Sequence, residues 1–352
     1  MLTKELDYEL PSELIAQSPV KQRDQSRLLL YNRNTGEISH HYFNELPDLL
    51  PANLSIFRNN VSVLKARIYG KRQNGGNVEC LLLKPVESLK DTWKCLLKPG
   101  AKTLKAKKFG WDGEYSAEVI EKTKSNEYLV KFTLHKDSDP TSLAQRIGNL
   151  PLPPYVRRPV DSTDEIRYQT VYAKNEYRTA VAAPTAGLHF TPNVFSKLEL
   201  LGHKIHDLTL SVGMGTFRPI ETEKIDDHPM HEEEYSLPPE TQIALHDRTR
   251  KHLAIGTTSV RSIEHYLSNF KVPIDQNLRL ETNLFIKPPY NFSGINHLLT
   301  NFHLPGSTLL CLVAAFLKPS ETTGLKTLKK LYALAIEKKY RFFSYGDSML
   351  IL

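Results

Sequence analysis

Short apolar runs separated by turn signals fill the sequence from about Val63 to Leu134. NVECLLLKP, TWKCLLKPG and EYLVKFTLH are examples, and the dipeptides Gly-Gly, Pro-Gly and Asp-Gly lie between such runs. Strands of this length at close spacing, punctuated by Gly and Pro, are typical of small barrels. This pattern predicts a small antiparallel β-barrel.

The rest of the chain alternates strand-like runs with segments whose apolar positions recur at the helical period. SRLLLYN, TAVAAP and HDLTLSVGMG predict strands, whereas PNVFSKLELLGHKI and LKTLKKLYALAIEKK predict helices. Alternation of this kind is typical of a sheet covered by helices. We therefore predict an α/β fold, with a main α/β domain of residues 1–62 and 151–352 and an inserted small antiparallel β-barrel domain of residues 63–150.

Composition places the chain among globular proteins that need no covalent staples. Its 352 residues are 40% apolar and 24% charged, and they are enough to bury a sizeable core. No apolar run is long enough for a transmembrane helix, and the start MLTKELDYEL has no apolar segment typical of a signal peptide. Cys80, Cys95 and Cys311 are far apart, as expected for reduced thiols. We expect a cytoplasmic monomer.

Positive charge favours an anionic partner. The formal net charge is +7 and the sequence pI is about 9.0. The segment from Lys98 to Lys108 contains five lysines and no acid. It is either a solvated basic strand and turn or a patch that contacts a polyanion.

Three segments share one design, in which an apolar strand is followed by small and polar residues and then by a helix. They are AVAAPTAGLHFTPNVF, LAIGTTSVRSIEHYL and LLTNFHLPGSTLLCL. Ligands of α/β sheets bind at the carboxyl ends of strands, where helix N-termini attract carboxylates and phosphates. Thr257, Thr258 and Ser259 fit such a role with Arg261 as charge partner, although ordinary helix capping would use the same residue types.

Four histidines are candidates for proton transfer. His189 and His303 each lie in one of these loops, beside a phenylalanine, and His228 and His231 lie in DDHPMHEEEY. A metal site at the second pair would need a third ligand, and Pro229 disfavours a helix between them, so no metal is expected. The segment SVGMGTFRP adds Gly213 and Gly215, which permit either positive φ or close approach of a flat heterocycle.

Eight sequence blocks together resemble one enzyme family, the S-adenosylmethionine:tRNA ribosyltransferase-isomerases of queuosine biosynthesis. The resemblance covers essentially the whole chain. The blocks are IAQSPVKQRDQSRLLL, RYQTVYAK, AVAAPTAGLHFT, VGMGTFRPI, HPMHEEEY, AIGTTSVRSIE, TNFHLPGSTLL and FFSYGDSMLI.

The resemblance implies a reaction on tRNA. Enzymes of this family move the ribosyl part of S-adenosylmethionine onto the aminomethyl group of a 7-deazaguanine at the wobble position. The ribose is rearranged to give epoxyqueuosine, and adenine and methionine leave. S-adenosylmethionine is consumed as a substrate, so no resident cofactor is implied.

The reaction lets us assign expected roles to residues of the matching blocks. His189, His228, His231 and His303 form the acid/base pool. The expected substrate contacts are Pro184, Thr185, Gly187, Gly213, Gly215, Arg218, Glu232, Thr257, Thr258, Ser259, Arg261 and Asp347. The expected contacts to the tRNA anticodon stem-loop are Arg67, Lys102, Lys105, Lys107, Lys108, Trp111 and Arg167.

The chain departs from the family pattern in FRNNVSVLKAR, Phe57–Arg67, and no role is transferred to Val61 or Ser62. Two other classes of protein fit part of the sequence. A non-catalytic RNA-binding protein would explain the charge but not the histidine and glycine loops. An RNA methyltransferase would be expected to carry a glycine-rich loop after its first strand, which this sequence lacks.

Overall fold

The computed structural model describes residues 1–213, 215 and 219–352, with Arg178 described by its main chain alone. The strands are β1 (Arg27–Tyr31), β2 (Ile38–Tyr42), β3 (Leu54–Asn59), β4 (Ser62–Val63), β5 (Arg67–Arg72), β6 (Asn77–Pro85), β7 (Thr92–Lys98), β8 (Lys108–Trp111), β9 (Tyr115–Lys122), β10 (Tyr128–Leu134), β11 (Arg178–Ala180), β12 (Lys204–Leu210), β13 (Glu233–Leu237), β14 (Lys251–Ile255), β15 (Leu278–Thr282), β16 (His297–Asn301) and β17 (Ser348–Ile351). The helices are α1 (Leu46–Leu49), α2 (Gly100–Ala106), α3 (Pro140–Ile147), α4 (Ser162–Arg167), α5 (Pro192–Leu200), α6 (Pro239–His246), α7 (Thr257–Asn269), α8 (Thr308–Leu317) and α9 (Gly324–Glu337).

A nine-stranded sheet forms the body, in the order β15-β13-β12-β3-β14-β16-β17-β1-β2. Its centre, β12-β3-β14-β16, is parallel, and antiparallel strands flank it on both sides. Every residue of β16 and β17 is buried, because helices and loops cover both faces there. The predicted α/β body is confirmed. Within the described residues, no helix combines the length and the apolar character needed to cross a bilayer.

The inserted region forms a closed antiparallel barrel in the order β10-β7-β6-β5-β8-β9. Its core is built by alternation: Tyr115, Ala117 and Val119 of β9 point inward, and the residues between them are exposed. The predicted barrel is confirmed. Its strands lie within residues 63–150, and the exact domain boundaries stay a prediction.

Two local expectations were wrong. The lysine-rich segment is not a strand and turn, because α2 occupies its centre and ends at Ala106, just before Lys107, where φ is 59°. Ala, Lys and Leu are strong helix formers, and here their propensity wins over the neighbouring strands. TAVAAP contributes only the end of β11, which pairs with β4 outside the main sheet, since the chain then turns at Pro184.

Close packing of α8 against α9 gives a test of the fold. A Cβ at Gly324 would lie 1.9 Å from the carbonyl oxygen of Ala314. Ala in place of Gly in a helix is normally stabilising by about 1 kcal/mol. We predict instead that Gly324→Ala lowers the free energy of unfolding by about 1–3 kcal/mol, because the helices must move apart. Denaturant unfolding measures this, and the exposed Lys330→Ala is the control, expected within about 0.5 kcal/mol of wild type.

Candidate active site

A cleft lies at the carboxyl ends of the parallel strands β14 and β16. The three strand–loop–helix segments converge on it, as expected for an α/β sheet. The cavity is small, about 50 Å³. Its lining includes Ala183, Pro184, Thr185, Ala186, Gly256, Thr257, Thr258, Thr300, Asn301, His303 and Ser307, with Tyr155, Phe343 and Ser344 from other parts of the chain.

Two helices begin at this cleft. Gly256 precedes α7 with φ of 85°, and no side chain caps the first turn of that helix. Ser307 caps α8 by accepting a hydrogen bond from the amide of Leu310. The first turn of α7, with Thr257 and Thr258 in the lining, therefore offers amide donors and a positive dipole end to a carboxylate or another anion.

His303 is the histidine that lines this cleft. Its Nε2 lies 2.8 Å from the hydroxyl of Thr300, and its main-chain amide donates to the hydroxyl of Tyr332 at 2.9 Å. Burial lowers the pKa of His303 to about 3. The imidazole is therefore neutral near pH 7, and in this form it can accept a proton but not supply one.

His189 lies behind the cleft and has both ring nitrogens engaged. Nδ1 lies 2.7 Å from the hydroxyl of Ser26, and Nε2 lies 3.1 Å from Nδ2 of Asn301. Nδ2 of Asn301 also faces the carbonyl oxygens of Phe343 and Asp347, so this atom is the amide nitrogen. Nε2 of His189 is thus the acceptor and Nδ1 carries the proton.

Electrostatics agree with a neutral His189. Burial is the largest cause that lowers its pKa to about 3, and the positive charges of Arg23, Arg341 and Arg167 act in the same direction. His189 as placed therefore orients Asn301, whose Oδ1 accepts a hydrogen bond from Thr185 at 3.1 Å. His189, which was predicted to carry protons, therefore does not line the cleft itself but holds a residue of the cleft lining in place.

A second and larger pocket lies between the barrel strands β6 and β7 and the body strand β13. Its volume is about 640 Å³, and Val212 lines both it and the strand-end cleft. Of the predicted site residues it collects Gly213, Gly215, His231 and Glu232. Acids dominate its charged lining: Glu87, Glu127, Glu176, Glu232, Glu233 and Glu234 face Lys84, Lys94 and Arg279.

A buried ion pair supports one wall of this pocket. Arg261 Nη1 donates to Glu233, and its Nε donates to the carbonyl oxygen of Leu284 at 3.1 Å. The other carboxylate oxygen of Glu233 accepts the amide of Gly213 at 3.2 Å. A Cβ at Gly215 would lie 2.3 Å from the ring of His231, so a side chain at this position would displace that ring.

Several predicted contacts point into the protein instead of into either pocket. Ser259 donates to the carbonyl oxygen of Ile255, and a Cβ at Gly187 would lie 2.0 Å from the hydroxyl of Tyr172. The carboxylate of Asp347 accepts the amides of Arg27 and Arg341, each at 2.8 Å. These residues, like Arg261, build the supports of the site.

The remaining predicted residues are dispersed. His228 is half-buried edge-on to Phe285, and burial, followed by the charge of His231, lowers its pKa. Arg218 lies outside the described residues. No three His, Cys, Asp or Glu side chains within residues 1–213, 215 and 219–352 are grouped to hold a metal ion.

The predicted tRNA contacts fall on two surfaces. Lys102, Lys105, Lys107, Lys108 and Trp111 are all exposed on α2 and β8 at one part of the barrel. Arg67 of β5 lies 3.4 Å from the carboxylate of Glu79. Arg167 belongs instead to the body, at the end of α4, where it lines a third, small cleft with His189.

Sequence reasoning missed Asn301 and Thr300 of the cleft. Both lie in TNFHLPGSTLL, one of the recognised blocks, and a polar pair ending an apolar strand was the available signal. Tyr155 and Ser344 were also missed, because they reach the cleft from distant segments.

Strand ends, helix N-termini and a buried histidine that meet in one cleft are the arrangement of an α/β enzyme. Comparisons with known proteins define which enzyme class this is. The family model described as "Queuosine biosynthesis protein" matches residues 3–351. A relative from Thermotoga maritima, named S-adenosylmethionine:tRNA ribosyltransferase-isomerase, is 41% identical over 355 residues and 100% of both chains. One of the same name from Natranaerobius thermophilus is 41% identical over 360 residues, covering 100% of this chain and 99% of its own.

A solved structure agrees. The crystal structure of an S-adenosylmethionine tRNA ribosyltransferase from Thermotoga maritima aligns with a TM-score of 0.54 and 33% identity, covering 99% of this chain and 100% of its own. The chain belongs to the queuosine biosynthesis family, whose relatives named here are ribosyltransferase-isomerases. The expectation of an enzyme of this family is confirmed.

The two buried histidines predict acid sensitivity. Their folded pKa values of about 3 lie below the ordinary value of 6.5, so the stability that they contribute is present above pH 6.5 and falls as the pH drops towards 3. At pH 5, each buried imidazole is expected to lower the free energy of unfolding by about 2 kcal/mol relative to its value well above pH 6.5. We predict a shallower loss between pH 7.5 and pH 5 in His189→Gln than in wild type, measured by denaturant unfolding at both values. Equal losses in the two proteins would contradict a neutral buried His189.

Proposed function

We propose that this enzyme transfers the ribosyl moiety of S-adenosylmethionine to 7-aminomethyl-7-deazaguanine at the wobble position of tRNA. The ribosyl group is rearranged to give epoxyqueuosine-tRNA, and adenine and methionine are released. The full-length similarity to relatives named S-adenosylmethionine:tRNA ribosyltransferase-isomerase is the observation that carries the proposal. S-adenosylmethionine is consumed as a co-substrate, no metal or resident cofactor takes part, and the enzyme works on tRNA in the cytoplasm.

The two adjoining pockets suggest where the substrates lie. About 50 Å³ at the strand ends is too small for S-adenosylmethionine, whereas about 640 Å³ beside the barrel suits a ligand of nucleoside size. We place the methionine carboxylate at the first turn of α7, with Thr257 and Thr258. The ribose then lies near Val212, where the two pockets meet, and the deazaguanine enters from the side of the barrel.

Charge supports this placement. The sulfonium of S-adenosylmethionine and the protonated aminomethyl group are both cationic, and the large pocket has an excess of carboxylates, including Glu232 and Glu234. Pro184, Gly213 and Gly215 supply main chain that can approach a flat ring. The sulfur of the departing methionine is a neutral thioether, so the attraction between this sulfur and the carboxylates of the pocket is lost when methionine is formed.

Proton transfers are divided between the pockets. The neutral imidazole of His303 accepts a proton from the carbon next to the sulfonium. His231, exposed in the large pocket, protonates the departing adenine. His189 holds Asn301 and Thr185 in place.

Product analysis tests the function. The full chain is incubated with S-adenosylmethionine and tRNA that carries 7-aminomethyl-7-deazaguanine, and nucleosides and small products are identified by mass spectrometry. Epoxyqueuosine with equal amounts of adenine and methionine is expected. S-adenosylhomocysteine would indicate a methyltransferase, and unchanged S-adenosylmethionine with bound tRNA would indicate a binding protein.

Replacing His303 separates chemistry from binding. We predict that His303→Gln lowers kcat by about 100-fold or more, because general-base catalysis typically contributes at least that much. Binding of tRNA should stay within about twofold, since His303 lies in the strand-end cleft and not on a charged surface. Single-turnover rates and tRNA titrations measure the two quantities, and wild-type kcat in this variant would remove His303 from the mechanism.

The barrel lysines have a separate test. Replacing Lys102, Lys105, Lys107 and Lys108 by Gln should weaken tRNA binding and flatten its dependence on salt, because fewer counterions are released. The control replaces Lys318, Lys326, Lys329 and Lys330 by Gln, which changes the net charge equally on α9 and the end of α8. An unchanged salt slope in the barrel variant would place the tRNA elsewhere.

A further inference from the structure

Three arginines of the body, close to one another in the fold, have guanidinium groups that donate to main-chain carbonyls instead of carboxylates. Arg23 donates to the carbonyl oxygens of Ile166, Arg167 and Leu188 at 2.7–3.3 Å. Arg167 donates to those of Val20 and Lys21 at 2.8 and 3.1 Å, and Arg341 donates to that of Ser18. Each guanidinium has five N–H donors, so Arg167 and Arg341 keep most of theirs available.

Arg23 and Arg167 line the third cleft, which we call the arginine cleft, and Arg341 lies next to it, bonded to the carbonyl oxygen of Ser18, the residue before Pro19 of the lining. The cleft is lined by Pro19, Val20, Arg23, Arg167, Leu188, His189, Ser344, Tyr345 and Gly346. Ser344 also lines the strand-end cleft, and His189 is bonded to Asn301 of that cleft. A ligand in the arginine cleft is therefore one side chain away from the proposed reaction site.

The positive charge of this cleft is only partly balanced by its neighbours, among which the carboxylate of Asp347 acts on Arg341. Arg23, Arg167 and Arg341 form no ion pair with any described residue, and Nε of Arg167 is buried without an acceptor. Burial, followed by the charge of Arg167, lowers the pKa of Arg23 to about 10. This mutual repulsion is what a bound anion would relieve.

The acids nearby are already engaged. Asp347 accepts the main-chain amides of Arg27 and Arg341, and the carboxylate of Asp164 is paired with Arg158 at 2.6 and 2.7 Å. Asp24 accepts the hydroxyl of Thr191 at 3.0 Å. Donors without charge leave the negative charges of Asp347 and Asp24 in place, so three arginines stand against two carboxylates and the surroundings of the cleft retain a positive charge.

We propose that the arginine cleft binds a backbone phosphate of the tRNA anticodon loop, next to the nucleotide that reacts. Guanidinium groups recognise phosphate through paired hydrogen bonds, and a fixed cluster of them positions a nucleic-acid backbone. Lys21 and Arg157 are exposed near the cleft: Lys21 follows Val20 of the lining, and the amide of Arg157 is bonded to the side chain of Gln17. Both extend the positive surface for adjacent phosphates. This inference rests on the proposed function, because it takes tRNA as the substrate.

The first experiment compares Arg341→Gln and Arg167→Gln with the matched control Arg248→Gln. Arg248 also donates to a carbonyl, that of Ser293 at 3.0 Å, but it lies just before the start of β14, whose other end borders the strand-end cleft. Binding to tRNA carrying 7-aminomethyl-7-deazaguanine is measured by fluorescence anisotropy across a range of salt. Each cleft variant should bind about tenfold more weakly, with a salt slope lower by about 1, and the control should match wild type.

A titration with S-adenosylmethionine alone distinguishes a tRNA phosphate from the methionine carboxylate as the anion that the cleft binds. We expect its affinity to be unchanged in both cleft variants. Weaker binding of S-adenosylmethionine with unchanged tRNA affinity would mean that the cleft holds the methionine carboxylate, which would overturn the proposal.

A second experiment changes the RNA instead of the protein, so its wild-type measurements do not depend on how the variants fold. Single methylphosphonate linkages, which remove the charge of one phosphate, are placed in turn along an anticodon stem-loop RNA. One or two positions beside the wobble nucleotide should weaken wild-type binding about tenfold but change Arg341→Gln binding little. Equal losses at every position, or equal losses in both proteins, would refute the site. If the full chain binds tRNA in this way but releases no adenine, the proposed reaction fails while the phosphate site stands.

Discussion

The amide of Asn301 is the contact on which the cleft depends. At the end of β16, its oxygen accepts from Thr185, and its nitrogen faces His189 and the carbonyl oxygens of Phe343 and Asp347. One buried side chain thus joins the end of β16 to two segments that are far apart in sequence, residues 185–189 and 343–347. An amide in this environment is expensive to leave unpaired, so each segment is fixed relative to the others.

Protonation states follow from the same burial. Asn301 can donate to His189 only while Nε2 of that imidazole is unprotonated, and burial together with nearby arginines keeps it so. Of the three arginines whose charges add to the effect of burial on His189, Arg23 and Arg167 line the arginine cleft. A bound anion there would offset part of this positive field, so the occupancy of the arginine cleft and the electrostatics of the strand-end cleft are physically linked.

The site as a whole separates opposite charges. Carboxylates dominate the large pocket beside the barrel, whereas lysines on the barrel surface and arginines behind the cleft are positive. This distribution suits the proposed reaction, in which a cationic sulfonium and an ammonium react while bound next to a polyanionic tRNA. In that proposal the phosphates are attracted to the outer surfaces, and the cationic groups are attracted to the interior pocket.

The sequence by itself determined the architecture and the loops of the site. Strand and helix periods, with Gly and Pro at turns, are local signals, so the barrel, the α/β body and the convergence of three loops were predictable. The prediction for KPGAKTLKAKK gave more weight to the strand-like runs around it than to its helix propensity, and the segment forms α2. Only the tertiary structure decided which loop residues face a ligand. Thr257 and Thr258 line the cleft, but Ser259, one residue further along α7, points back to Ile255, because successive helical residues are rotated by about 100°. The arginine cleft combines loops near residues 19–23, 167, 189 and 344–346, and a cluster assembled from such distant positions leaves no local pattern.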